Sequence, residues 1–243
     1  MIMSIDVGIK NLAMCIMTAG NKKYLETYEI HLWEVYDVLE NNIPRTCNAL
    51  LKGKFERYCS KKSSYKYKDS EKNDILCCKT HLPKNYKGIK IKEKNISNYL
   101  IQDIVSILLR KIETIYNERI EIFKQITEIY IELQPKINQK MKMISHVLFG
   151  KLIDIHKEYP EFSKIRFVSA KKKLRAYTGP YIDCKLKSQY SKRKWLSVEY
   201  TKWFLENKFC EKERSKWLEC LNNTKKNDDM ADTFLMSINA IFN

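Results

Sequence analysis

MIMSIDVGIKNLAMCIM, residues Met1 to Met17, sets a single carboxylate, Asp6, into a short apolar run of Ile2, Met3, Ile5 and Val7. Gly8 follows two residues later, and a second apolar run extends from Leu12 to Met17. The pattern predicts a buried strand, a tight turn at the glycine, and a second strand returning beside the first. An ionised Asp inside a central strand costs several kcal/mol unless it is paired or bound to a cation. The plain alternative is an Asp at the strand end, solvated or capping the turn. Two distant stretches bear on the choice. The strand-like Ile129-Tyr130-Ile131 runs into Glu132, and Asn227-Asp228-Asp229-Met230-Ala231-Asp232 opens a final apolar helix.

With 243 residues, 44% of them hydrophobic, and a mean hydropathy of -0.48, the chain can bury a substantial core. No apolar run reaches the roughly 18 residues of a spanning helix, so no membrane partner is expected. Asp6 and Lys10 interrupt the N-terminal apolar stretch, which is not a secretory signal. The expected location is therefore an intracellular, reducing compartment, where clustered cysteines are thiols or metal ligands rather than disulfides. A net charge of +16 and a pI near 9.3 predict a polyanionic partner, first of all nucleic acid.

Along the chain, Tyr24 to Trp33 reads as a third strand, antiparallel to the second. Residues 34–95 hold Pro44, Gly53, Pro83 and Gly88, many Lys and Ser and several cysteines, but little apolar periodicity. They read as an insertion with local structure of its own. From Ile96 to Asn117 the positions Tyr99, Leu100, Ile104, Ile107, Leu108, Ile112 and Ile115 recur at three and four, a core-facing helix. Ile126 to Leu133 is a β-branched strand, Met141 to His156 a second helix, and Ile165 to Val168 a fifth strand. The order β-β-β-α-β-α-β-α is an α/β pattern.

Between Lys164 and Lys194 eleven Lys or Arg face one acid, Asp183, and Tyr177, Tyr181 and Tyr190 are interleaved, with Trp195 just beyond. Such a run suits a phosphate track with stacking surfaces, carried by Lys171, Lys172, Arg175, Lys185, Lys187, Lys192, Arg193 and Lys194. A solvated basic face is the plain alternative. On a helix, Asp229 and Asp232 share one face while Asp228 points elsewhere. Acids in a first helical turn also suit the macrodipole. Together with Asp6 and Glu132, however, they can converge on two hard divalent cations that hold a phosphodiester between them.

Ser4-Ile5-Asp6-Val7-Gly8-Ile9-Lys10-Asn11-Leu12-Ala13, Ile131-Glu132-Leu133-Gln134 and Lys225-Lys226-Asn227-Asp228-Asp229-Met230-Ala231-Asp232 occur in this order across nearly the whole chain. They resemble the motifs of the RuvC-type Holliday junction resolvases, most closely those of the poxvirus branch. The resemblance implies a single ribonuclease H-like nuclease domain over 1–243, a mixed five-stranded sheet with the Cys-rich insertion after its third strand. It also implies a homodimer that nicks four-way DNA junctions and resolves branched or concatemeric viral DNA in the host cytoplasm. The implied cofactor is Mg²⁺, two ions per active site, with Mn²⁺ as substitute. The family's catalytic acids carry over to Asp6, Glu132, Asp229 and Asp232. Its lysine after the fifth strand falls on Lys171, Lys172 or Lys173, with Lys173 preferred. For the homodimer, the helix bearing Leu108, Leu109, Ile112 and Ile115 and the stretch from Met141 to Leu152 offer interface faces, or are plain core.

The insertion carries a second pattern. Cys47, Cys59, Cys78 and His81, with Cys77 as the alternative third thiolate, suit a tetrahedral structural Zn²⁺ in a segment too polar to build a core. Cys15, Cys184, Cys210 and Cys220 read as packing residues, and His31, His146 and His156 form no constellation. Two rival functions stand beside the junction nuclease. One is another ribonuclease H-like nuclease, of the RNA–DNA hybrid or transposase type; the other is a non-catalytic basic DNA-binding protein.

Overall fold

The computed structural model describes residues 1–18, 29–39, 46–51, 57–91, 99–135 and 137–242. It forms two compact units, Met1–Leu39 with Leu100–Asn243, and Glu40–Tyr99. The larger unit opens with β1 (Ile2–Val7), β2 (Asn11–Met17) and β3 (Ile30–Asp37). The smaller holds β4 (Leu50–Leu51), β5 (Arg57–Tyr58), β6 (Tyr65–Lys68), β7 (Asp74–Cys77) and β8 (Ile89–Lys90). The larger unit resumes with α1 (Ile101–Glu118), α2 (Ile120–Phe123), β9 (Glu128–Glu132), α3 (Gln139–His156) and β10 (Lys164–Val168). It ends with α4 (Ala170–Lys173), α5 (Gln189–Lys208), α6 (Glu211–Asn223) and α7 (Asn227–Phe242).

Five strands pair in the order β10-β9-β1-β2-β3. β2 runs antiparallel to both its neighbours, while β9 and β10 run parallel to β1. A mixed sheet in this order, with its second strand reversed, is the ribonuclease H-like fold. Successive side chains of a strand take opposite faces. Ile2, Ser4 and Asp6 of β1 therefore share a face, and Ser4 accepts a hydrogen bond from Ser237 of α7 at 2.8 Å. Met3, Ile5 and Val7 take the other face, the side of α3. α3 in turn packs on α1, whose buried stripe is Ile104, Leu108, Ile112 and Ile115. Leu108, Ile112 and Ile115 are thus core within one chain rather than an interface.

On the first face α7 is buried almost all round, from Met230 to Ile241. It lies under the sheet and against α5 and α6, with Trp33, Phe204, Trp217 and Phe234 in one cluster. Trp33 donates its indole N–H to the Met230 carbonyl at 2.8 Å, which pins the start of α7 to β3.

The third strand lies further along than its sequence pattern indicates. It spans Ile30–Asp37, paired from Met17↔Ile30 to Asn11↔Asp37, while Tyr24 to Tyr28 fall outside the described residues. β3 is a sheet edge, and edges tolerate charge. Glu34 meets Arg119 at 3.1 Å and Asp37 meets Lys10 at 3.6 Å, so these acids sit within the strand and the insertion starts later than residue 34. The helices α5 and α6 are additions to the expected element order. Cys15 and Cys184 are buried as expected, whereas Cys210 is exposed at the start of α6 and Cys220 is half-buried.

Gly8 closes the β1–β2 turn, donating its N–H to the Asn11 carbonyl at 2.7 Å. A Cβ at this position would lie 2.5 Å from that same oxygen. The chain's own backbone therefore demands glycine here.

In the smaller unit β4 pairs with β5, and β6 pairs with β7 and β8. The β6–β7 turn is held by Asp69, whose carboxylate accepts from the Glu71 and Asn73 amides. No helix among the described residues is long and apolar enough to cross a membrane.

Candidate active site

The register of two strands places the first two acids. Ile5 stands beside Ile131 across β1 and β9, so the next residues, Asp6 and Glu132, come side by side near the carboxyl ends of parallel strands. Asp232 arrives from the second turn of α7, on the face pressed against the sheet. Oxygen atoms of Asp6, Glu132 and Asp232 all lie within 4.8 Å of one another.

Lys173 completes the cluster. It ends α4, the short helix that follows β10 and is capped by Ser169, whose hydroxyl accepts from the Lys171 amide at 3.4 Å. Lys171 and Lys172 are exposed, but Lys173 is only 8% exposed. Its Nζ lies 2.5 Å from Asp232 Oδ2 and 3.2 Å from Glu132 Oε1.

Three carboxylates around one ammonium leave two negative charges uncompensated when all are ionised. Burial, and then the neighbouring Glu132 and Asp232 carboxylates, hold the Asp6 pKa well above the usual carboxylate range; Lys173 recovers only part of the shift. Burial raises Asp232 as well, against the pull of Lys173. For Lys173 burial works downward, but Glu132 and Asp232 together outweigh it and raise its pKa.

Asp232 Oδ1 is buried with no donor in hydrogen-bonding geometry. Ser197 is near enough only to ease the carboxylate's charge. An orphaned oxygen in an over-anionic, all-oxygen group fits a hard divalent cation, which prefers such ligands.

Asp229 stands outside the group. Its Oδ2 accepts from the Asn11 side chain at 3.5 Å and its Oδ1 lies 3.8 Å from Lys194. Burial and the adjacent Asp228 raise its pKa. Asp228 pairs closely with Lys194 and, despite burial, is held low by that ammonium. Asp229 and Asp232 do share a helix face, but Asn11 and Lys194 draw the first away from the cluster.

In the basic segment Lys171, Lys172, Arg175, Lys185, Lys187 and Arg193 are exposed, and Lys192 is half-buried. Lys194 is engaged by Asp228 and by the Tyr190 ring, 5.2 Å away. Tyr181 and Tyr190 are exposed. Tyr177 instead stacks on Tyr200 at 3.7 Å and belongs to the core. Gln134 donates its amide N–H to the Glu132 carbonyl at 3.3 Å, bracing the strand end that bears the acid. The sequence sets Asn11 and Gln134 within two of the motifs and Lys194 on the phosphate track, but their partners here, Asp229, the Glu132 carbonyl and Asp228, lie beyond a reading keyed to acids.

No family model matches the chain. Among curated proteins, an uncharacterised protein of Acanthamoeba polyphaga mimivirus is 26% identical over 256 residues, covering 93% of this chain and 58% of its own. The chain thus spans a little over half the length of that relative. Among solved structures, the Fowlpox virus resolvase in complex with substrate Holliday junction DNA aligns with a TM-score of 0.46 at 14% identity, over 100% of this chain and 99% of that one. Thermus thermophilus RuvC in complex with a Holliday junction substrate aligns at 0.40 with 8% identity, over 98% and 93%. In strand order and in its reversed second strand the larger unit has the ribonuclease H-like fold, which the sequence's resemblance to RuvC-type resolvases implies.

Proposed function

We propose that this chain is a divalent-metal-dependent endonuclease that cuts branched DNA, with four-way junctions as its substrate. The observation that carries the reading is the convergence of Asp6, Glu132 and Asp232 around Lys173, from three motifs far apart in sequence. Asp6, Glu132 and Asp232 would hold Mg²⁺, with Mn²⁺ able to replace it. Bound there, the metal supplies Lewis-acid activation of water and neutralises phosphate charge. The chain's own residues do the rest. Lys173 fixes the orientation of Glu132 and Asp232 and limits the repulsion between them. Asp229 would join a second ion only by leaving Asn11 and Lys194. Lys171, Lys172, Arg175, Lys185, Lys187, Lys192 and Arg193 would track the phosphates, and Tyr181 and Tyr190 offer stacking faces. Two symmetric nicks call for two active sites, so the working form is a homodimer. Resolution of branched or concatemeric viral DNA in the host cytoplasm is the role that the resemblance favours.

The test is cleavage of four-way junctions, RNA–DNA hybrids and linear duplex side by side, with Mg²⁺ and with Mn²⁺. Junctions are expected to be cut in preference. Asp6→Asn and Glu132→Gln are expected to lose cleavage by at least about 10²-fold while junction binding survives. Hybrid cutting alone would transfer the chain to the rival nuclease class. A wild type that cuts nothing would leave a basic DNA-binding protein.

A further inference from the structure

The Glu40–Tyr99 unit has a core of unusual make-up. Among its described residues the buried cluster consists of four cysteines, Cys47, Cys59, Cys77 and Cys78, with a few half-buried neighbours packed against them. Two two-residue strands and a small three-stranded sheet enclose too little apolar surface to hold a segment of this length. All four cysteines are free thiols.

Three of these sulfurs share a centre with a histidine. Sγ of Cys47, Cys59 and Cys78 and a ring nitrogen of His81 lie within 4.8 Å of one another. His81 Nδ1 is 3.4 Å from Cys47 Sγ and 3.5 Å from Cys78 Sγ. A tetrahedral zinc with its usual Zn–S and Zn–N bond lengths separates sulfur from nitrogen by about 3.6 Å. An imidazole nitrogen has one in-plane lone pair and accepts from one thiol at a time. Two sulfurs converging on the same nitrogen therefore describe a common centre better than a pair of hydrogen bonds.

We propose that Cys47, Cys59, Cys78 and His81 bind one Zn²⁺ tetrahedrally, and that this ion stands in for a hydrophobic core in the Glu40–Tyr99 unit. Cys77, outside the group, stays a thiol. On binding, the three cysteines release their protons to solvent, His81 donates the lone pair of its neutral ring, and no electron changes hands.

The experiment uses the full chain, dialysed against a weak chelator, with zinc measured by plasma mass spectrometry. Wild type and Cys77→Ala are expected to retain about one zinc per chain. Cys47→Ser, Cys59→Ser and Cys78→Ser are expected to fall at least about fivefold below that. Because the serine variants could lose metal through unfolding alone, His81→Cys with Co²⁺ in place of zinc provides the second readout. It keeps the site and is expected to raise the thiolate-to-cobalt charge-transfer band from the intensity of three sulfurs to that of four. A wild type without zinc, a Cys77→Ala loss equal to that of Cys78→Ser, or an unchanged cobalt band in His81→Cys would each overturn the assignment. Asp6 and Glu132 take no part in any of these readouts, so the result is independent of the nuclease reading.

Discussion

Replacing Lys173 with Met keeps the length and apolar stem of the side chain and removes only its charge. Nζ lies 2.5 Å from Asp232 and 3.2 Å from Glu132. At an effective dielectric of about 20 the two attractions amount to about 7 and about 5 kcal/mol gross. Desolvating the buried ammonium returns several kcal/mol of that, and removing one partner of a buried pair typically costs about 3–5 kcal/mol. That is a large share of the roughly 5–15 kcal/mol that holds a domain together. Two further consequences separate this account from a simple packing defect. A group whose pKa is higher folded than unfolded loses stability as pH rises through the folded value. Asp6 is such a group already, and without Lys173 it becomes more so, so the variant's deficit should shrink on acidification. A divalent ion that binds only the folded state stabilises by about 2.7 kcal/mol at a hundredfold excess over its Kd. The variant, with one more uncompensated charge, should gain more from Mg²⁺ than wild type does. Urea unfolding of both proteins in EDTA and then in Mg²⁺, across a pH series, measures all three effects. Midpoints that coincide in EDTA, or equal gains from Mg²⁺, would refute the electrostatic account of the cluster.

Gly8→Ala should cost about 1–3 kcal/mol, since the new methyl meets the backbone oxygen of Asn11 and not a movable side chain; a urea midpoint unchanged from wild type would contradict this. Glu128→Gln tests the far end of β9, where burial raises the carboxyl pKa but Lys164, at 2.8 Å, and the Tyr130 hydroxyl bring it below its ordinary value. A folded pKa below the unfolded one gives stability that is present above the unfolded value and lost as pH falls through the folded one. Wild type should therefore exceed the variant by up to about 1 kcal/mol at neutral pH, a small figure because Lys164 is partly exposed, and the difference should vanish in acid. Unfolding curves at neutral and acid pH would show it.

Much of this architecture can be read from the chain before folding. β1, β2, β9 and β10 announce themselves because β-branched and apolar residues dominate them, and α1 because its apolar stripe keeps helical spacing. α5 does not. It buries Ser197, Val198, Thr201, Phe204 and Leu205, a mixed polar and apolar face beneath a coat of Lys and aromatic residues, so no stripe stands out. α6 hides for a related reason, since Glu213 takes one of its three buried positions and accepts from the Trp217 indole at 2.8 Å. Within the site, Asp6, Glu132 and Asp232 were legible as acids in apolar settings, and Lys173 as one of three adjacent lysines. Asp229 was not separable from Asp232 by helical spacing alone, because Asn11 and Lys194 decide its orientation from two distant elements. Lys194 itself looks like any other member of a basic run until Asp228 is seen against it.

Ser4 of β1 and Ser237 of α7, hydrogen-bonded between sheet and helix, are 233 positions apart, and Asp6 and Asp232 meet beside them. During synthesis the ribosome releases the first of these acids long before it makes the last. A nascent chain can thus expose its basic segment while the acidic group still lacks its third carboxylate. Contacts of such high sequence separation also close late in folding. The acidic group therefore assembles only once α7 has docked on the sheet, and it comes apart again if α7 peels away.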